Sequence, residues 1–330
     1  MKEFFMSIQG YYRFPTIHDD TVVFTSEDDL WTVSAQGGLA RRLTSGLGEA
    51  SRPALFADGQ WLAFTGRDEG HSEVYLMPAA GGQPKRLTFI GSIALVCGWT
   101  PDGKIIFASD WKQPFLRLTK LYAVSPEGGA PELLPTGVAL NASFGPKGGC
   151  VIGRYGMIGR EPAYWKRYRG GTAGDLWIDP DGSGNFRRLI QLTGNLYRPL
   201  WVGNRIFFTS DHEGIGNLYS CTFTGQDLKR HTDHDKLYVR HPATDGKRIV
   251  YHAGAELYVF DPATNKRSPI EIEYHSPRTQ RYRKFVDSAK YLEEYRLHPQ
   301  GHLLALTARG QAFSLGNWEG PVTRHGESAG

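Results

Sequence analysis

Seven times along the chain a small or branched apolar residue is followed at once by an aromatic ring. The pairs are Leu30-Trp31, Val74-Tyr75, Leu121-Tyr122, Leu176-Trp177, Leu218-Tyr219, Leu257-Tyr258 and a variant, Ala312-Phe313. Each follows a short apolar run of the kind that suits a pleated strand, such as Val22-Val23-Phe24, Leu62-Ala63-Phe64, Ile105-Ile106-Phe107 and Ile206-Phe207-Phe208. Ser51 to Thr88 shows the whole unit. Arg52–Phe56 is turned back by Asp58-Gly59 into Trp61–Thr65; a polar loop leads to Val74–Met77, and Gly81-Gly82 turns into Lys85–Thr88. An Asp-Gly between apolar runs is a strong hairpin signal. Four such strands make a small sheet that cannot bury both faces alone, so it must stack on copies of itself. A repeat of roughly 40–55 residues with four strands per unit predicts an all-β chain built as a β-propeller.

The units predict six complete blades: Tyr12 to Thr44, Arg52 to Thr88, Val96 to Leu134, Asn141 to Leu192, Tyr197 to His231, and Tyr238 to Ile272. Residues 1–11 read as a lead-in and 12–274 as a six-bladed ring. Residues 275–290, with Ser276-Pro277 and the basic run Arg278, Arg281, Arg283 and Lys284, read as a linker. Residues 291–330 restart the pattern at Tyr295–Gly301, as the first blade of a second propeller. The longest departure inside the ring is Tyr155–Gly174 in the fourth unit, which gathers Tyr164, Trp165, Lys166, Arg167, Tyr168 and Arg169.

Composition sets limits on partners. A net charge of +4 on 330 residues is too weak to argue for nucleic acid. Cys97, Cys150 and Cys221 fall in three different units with no pairing pattern, which suits a reducing compartment. There is no signal-peptide pattern at the start and no run of 18 apolar residues, so the expectation is a cytoplasmic protein that does not span a membrane.

The departures from the repeat resemble one family. Asp28-Asp29-Leu30-Trp31, Gln113-Pro114-Phe115, Tyr168–Thr172, Asp227–Thr232 and Arg309–Phe313 resemble the N-terminal six-bladed propeller of the tricorn protease family. These are large cytoplasmic serine peptidases related to tail-specific proteases. The resemblance implies a six-bladed propeller followed by a seven-bladed one, with the nucleophilic serine, histidine and oxyanion donors beyond residue 330. It implies a substrate-guiding, accessory role for this chain in the degradation of oligopeptides. Its partners would be a downstream catalytic domain or other subunits of a tricorn-like assembly. In the family, two adjacent arginines after blade 2 grip a peptide carboxylate; Phe89–Val96, the matching segment, holds no arginine.

The residues themselves offer little chemistry. A serine nucleophile needs a base within hydrogen-bond reach and donors for the oxyanion. Nothing in the sequence links one serine to one histidine. His231, His234 and His241 could be read as metal ligands, but they fall where a polar inter-blade loop is expected, and no metal or cofactor is called for. Asp19-Asp20 and Asp28-Asp29 read as turn residues rather than a cation site. Trp165, Arg167 and Arg169 are the candidate substrate-binding residues, because a guanidinium fork fits a peptide carboxylate and an aromatic ring gives contact area. The competing reading of this stretch is an internal clamp, and a single-stranded nucleic acid contact is a third. Two other classes of function stay open at this level: a ligand-binding scaffold resembling the TolB propeller, and an independent propeller enzyme.

Overall fold

The computed structural model describes residues 10–45, 48–68, 70–155, 166–278 and 287–326. Six four-stranded antiparallel sheets follow one another along the chain, each with its strands in sequence order. Their first strands are Arg13–His18, Ala50–Leu55, Leu95–Trp99, Asn141–Phe144, Leu196–Val202 and Val239–Thr244. Each of these touches the first strand of the next sheet, and the sixth touches the first, so the six close into a ring. Between each pair of neighbouring sheets lies one apolar cluster. Phe24, Trp31, Val250 and Leu257 join blades 6 and 1; Phe64 and Tyr75 pack with Val23 and Leu30 between blades 1 and 2. This is what the repeat demands: a four-stranded sheet buries its two faces only against the sheets before and after it.

The recurring Arg-Leu-Thr of the fourth strand acts as a lock within the blade. In blade 1 the Thr44 hydroxyl accepts the Leu30 N–H at 2.9 Å and donates to Asp29 Oδ1 at 2.9 Å, while Arg42 reaches Asp29 Oδ2. Blade 2 repeats it with Val74, Thr88, Glu73 and Arg86; blade 5 repeats the threonine part with Leu218, Thr232 and Asn217. The bond pins the start of the third strand to the end of the fourth. Asp29 is therefore a buried member of this lock and not a turn residue; the turn falls to Glu27 and Asp28, at φ of 51° and 65°. Burial pushes the Asp29 carboxyl up, against the opposing pull of Thr44 and Arg42.

The ring closes without sharing a blade between the chain's ends. Blade 6 supplies all four of its own strands, and the chain then runs on as Ile272–Glu273, parallel to Gly38–Leu39 on the outside of blade 1. Gly38 and Ala40 donate their N–H groups to Glu271 and Glu273, both at 2.9 Å. Gly37 sits at φ +92°, and a Cβ there would meet the Glu271 carbonyl oxygen at 2.6 Å, so this strap requires glycine. Tyr274 anchors it, packed against Tyr12 and Trp31 with its hydroxyl on Ser26 Oγ at 2.9 Å.

A seventh sheet, Leu292–Leu297, Leu303–Ala308, Gln311–Gly316 and Thr323–His325, stands outside the ring. Its first strand is exposed along its whole length, where every residue of the ring's first strands is buried or half-buried. It leans on blade 2: Arg86 donates to the Val322 carbonyl at 3.3 Å, and Arg324 lies 3.6 Å from Asp68.

Candidate functional site

The first strand of each blade is an edge strand, with one side facing the ring axis. Four of the six carry a proline there, and in all four the preceding residue has a positive φ: Phe14 at 50°, Arg52 at 52°, Arg198 at 54° and His241 at 48°. In each of these strands the pairing slips at that point, as a β-bulge does. Proline removes a ladder donor, which an edge strand tolerates, and the extra residue re-aims its neighbour's side chain. Blades 3 and 4 present Cys97 and Ala142 at this level.

These residues bound a cavity of about 520 Å³ on the ring axis, walled by the first strands of all six blades. Along its wall the rings form a stack across blades 6, 1 and 2. His252 lies parallel to His241 at 5.2 Å, His241 packs on Phe14 at 4.2 Å, and the Arg52 guanidinium sits 4.7 Å over Phe14. Toward the hairpin end the lining turns aromatic. Trp99 packs on Phe56 at 4.7 Å and donates its indole N–H to the Ala54 carbonyl, and Trp201 contributes from blade 5. Asp245 is the one carboxylate in the lining among the described residues. It is turned into its own hairpin, accepting the Lys247 and Arg248 N–H groups, with the Arg248 guanidinium 3.8 Å away.

The insertion in blade 4 begins beside this cavity. Tyr155, its first residue, accepts the Arg198 N–H at 3.0 Å. Residues 156–165, Trp165 among them, lie outside the described residues. Beyond them, the Arg167 N–H donates to Asp211 Oδ2 at 2.8 Å. Arg169 donates to Asp211 Oδ1 at 3.0 Å and to the Asp211 carbonyl at 2.8 Å. Asn195 adds two further donors to the same carboxylate, whose side chain is 1% exposed. Lys166 lies 5.4 Å over the Tyr238 ring. The returning limb of the insertion is thus fastened to the rim of blades 5 and 6. Arg169→Ala is expected to lower stability by about 1.5–3 kcal/mol, the worth of hydrogen bonds to a buried charge. A melting curve checks this, and an unchanged midpoint would remove the clamp.

The other sequence candidates disperse. His231, His234 and His241 do not converge, and among the described residues no group of three or more His, Cys, Asp or Glu could hold a metal. His234 bonds the Tyr251 hydroxyl at 3.2 Å, and His241 lines the axial cavity. His231 does find a serine. Its Nε2 is 2.7 Å from Ser220 Oγ and its Nδ1 2.7 Å from Asn265 Oδ1, so the amide oxygen fixes the proton on Nδ1 and the hydroxyl donates to Nε2. This serine–histidine link is not visible in the sequence. Ser220 is fully buried, and its oxygen also accepts Arg205 Nε–H at 2.8 Å, so no substrate atom can reach it. The thiols of Cys150 and Cys221 are buried and pushed up to about 12, far from a reactive thiolate. No helix among the described residues is long and apolar enough to cross a membrane.

Apart from His241, considered only as a metal ligand, the residues of this wall were missed as candidates, although a signal exists. Phe14-Pro15, Arg52-Pro53, Arg198-Pro199 and His241-Pro242 recur at one register of the repeat.

Residues 9–266 match the family described as the tricorn protease N-terminal beta propeller domain. A tricorn protease homolog from Saccharolobus solfataricus is 35% identical over 330 residues, covering 98% of this chain and 30% of that protein. Tricorn protease homolog 1 from Streptomyces coelicolor is 45% identical over 254 residues, covering 76% of this chain and 24% of that protein. The crystal structure of the tricorn protease superposes with a TM-score of 0.74 at 31% identity, covering 97% of this chain and 32% of that one. The chain therefore spans about a third or less of the length of these relatives, and it belongs to the tricorn protease family as its N-terminal β-propeller region.

Proposed function

We infer that this propeller is a guiding, non-catalytic part of a tricorn-like serine peptidase, and that oligopeptides pass through its axial channel. The observation that carries this reading is the lined cavity on the axis. It is bounded by all six blades, carries side chains held out by four strained bulges, and shows no assembled nucleophile among the described residues. Strained residues held at equivalent places by the surrounding fold point to function rather than accident. Burial of Ser220, and of the Cys150 and Cys221 thiols, supports the view that peptide cleavage belongs to a partner segment. That segment would be a downstream catalytic domain or another subunit, in the cytoplasm, where three free thiols are at home.

The seventh sheet fits the same reading as the first blade of a second propeller. Its exposed Tyr295, Leu297 and Leu303 occupy the faces that blades of the ring bury against one another. Residues 275–278 and 287–290 would then belong to the linker. Trp165, Arg167 and Arg169 would be the substrate-binding residues of the insertion, which begins at Tyr155 beside Arg198.

The test is to narrow the channel. Ala142 lies on its wall in blade 4, the blade without a bulge. Ala142→Trp should weaken binding of labelled oligopeptides, followed by fluorescence anisotropy, by about tenfold or more, since an indole would fill space a peptide needs. Unchanged affinity in a folded variant would show that peptides do not use the channel.

A further inference from the structure

We propose that the cleft between the outermost strand of blade 3 and blade 4 binds a small oxyanion, a phosphate or a carboxylate, through Arg154 and Thr136. This site stands apart from the axial cavity and does not depend on the channel reading above.

The cleft begins where blade 3 leaves the repeat. Its outermost strand is not the short Arg-Leu-Thr but the longer Glu132–Val138. Tyr122 pairs with Leu133 and Lys120 with Val138, so residues 134–137 bulge out of the ladder. Pro135 lacks the N–H that a ladder needs, and Gly137 takes φ +71°. Facing the bulge, Arg154 ends the second strand of blade 4, with its guanidinium 4.2 Å over the Trp177 ring. Between them lies a cavity of about 560 Å³. It is lined by Pro135, Thr136, Gly137, Arg154 and residues 184–187 of the last hairpin in blade 4.

Two polar groups on this wall lack an answer within the fold. Arg154 Nε and the Thr136 hydroxyl are both buried without a hydrogen-bond partner, and Thr136 as a whole is 6% exposed. Of the guanidinium's five N–H donors, one bond is made among the described residues, from Nη2 to the Thr136 carbonyl at 3.4 Å. Asp175, the residue opposite Arg154 in the ladder, is taken by Arg188 at 2.5 Å, as Arg42 takes Asp29 in blade 1. Arg187 sends its own guanidinium away, to the Phe223 carbonyl at 2.7 Å. Burial lowers the Arg154 pKa, and Asp175 opposes that only in part. Buried polar groups without partners call for a bound group, and the charge of a guanidinium decides which kind. Water or a neutral solute would leave that charge uncompensated, and a cation would be repelled. A guanidinium resting its face on an indole presents its fork edge-on, so two oxygens of one anion can be held together. The Thr136 hydroxyl can rotate to donate to a further oxygen.

The experiment follows the melting temperature of the 330-residue chain in inorganic phosphate, in acetate and in chloride of matched ionic strength. An oxyanion at about tenfold over its dissociation constant should raise the midpoint by about 2 °C beyond chloride. Arg154→Gln should lose that rise. Arg154→Lys keeps a charge but not the planar fork, and should weaken binding by about tenfold. Thr136→Val should weaken it by about threefold. A rise with phosphate alone supports the site and assigns it to a phosphoryl group. A rise with acetate as well supports it and admits a carboxylate, which short peptides with free and amidated C-termini would then match to a chain end. No rise beyond chloride with either anion overturns the site. So does a rise undiminished in Arg154→Gln, which would be a general salt effect. Should Arg154→Gln fail to fold, Arg154→Lys and Thr136→Val decide, and undiminished binding in both overturns the site.

Discussion

Glu73→Ala is expected to destabilise the protein by about 3–5 kcal/mol, the cost of breaking a buried ion pair by removing one partner. The Glu73 side chain is 1% exposed and Arg86 11%. The carboxylate accepts the Thr88 hydroxyl at 2.6 Å, the Ile90 N–H at 2.9 Å, the Gly91 N–H at 3.0 Å and Arg86 at 3.3 Å. Alanine would leave two backbone donors and a guanidinium without their acceptor inside the fold, and each such loss carries its own desolvation cost. The effect should reach beyond blade 2. Arg86 also donates to the Val322 carbonyl, and a Cβ at Gly91 would meet the Gly320 backbone at 2.5 Å, so this node seats the seventh sheet against the ring. Thermal and urea unfolding of Glu73→Ala, Arg86→Ala and the double variant would measure it. The double variant should lose less than the sum of the two, because both changes remove the same Glu73–Arg86 contact. A single-variant loss below about 1 kcal/mol would mean that the node is dispensable.

The same node shows what could be read from the sequence. The Arg-Leu-Thr and the Asp or Glu opening the third strand lie about fifteen residues apart in the first two units, with partial forms in the fourth and fifth, so their existence was legible as a repeat. Their meaning was not. Asp29 reads as half of an Asp-Asp turn until its partner Thr44 is brought beside it, at the far side of the sheet. The blades were legible because each is local: hairpins closed by Asp58-Gly59, Asp102-Gly103 and Asp245-Gly246 join strands that pair with their sequence neighbours. The strap of Ile272–Glu273 on Gly38–Leu39 was not, since it joins the segment after blade 6 to blade 1, and the two share no pattern.

The channel was obscured for a different reason. Proline inside an apolar run argues against a strand, so Phe14-Pro15, Arg52-Pro53, Arg198-Pro199 and His241-Pro242 look like blemishes in the repeat. They are consistent with it once the first strand is known to be an edge. The aromatic and basic insertion in blade 4 drew attention instead, because it departs from the repeat visibly. The described part of it, Arg167 to Arg169, is tied to the buried Asp211, and that carboxylate lies more than forty residues away in sequence.

Acidification below about pH 6.5 is expected to weaken the ring well before its carboxylates titrate. Burial lowers the pKa of His212, His231, His234 and His252 below the ordinary histidine value. His252 is shifted furthest. It is 1% exposed, lies parallel to His241 at 5.2 Å, and has Arg240 and Arg13 near it, all of which oppose a further positive charge. Its Nδ1–H donates to the Gly254 carbonyl at 3.3 Å, and Nε2 finds no acceptor among the described residues that would reward a proton. In the unfolded chain these histidines protonate near pH 6.5, while in the native ring they stay neutral to lower pH. Between those two values the unfolded state binds more protons, so stability falls as pH falls. One fully engaged group accounts for about 1.4 kcal/mol per pH unit, and above about pH 6.5 it contributes no slope. Asp102, Glu213 and Asp227 have lowered pKa values, each chiefly through a side-chain hydrogen bond, and add to the loss only in the carboxylate range. Melting temperatures measured between about pH 7.5 and pH 5 should decline with a slope that His252→Phe reduces, since phenylalanine keeps the ring stacked on His241 and removes the proton site. A flat profile in the unaltered protein would contradict the buried neutral histidine, and an undiminished slope in the variant would assign the effect to the other three.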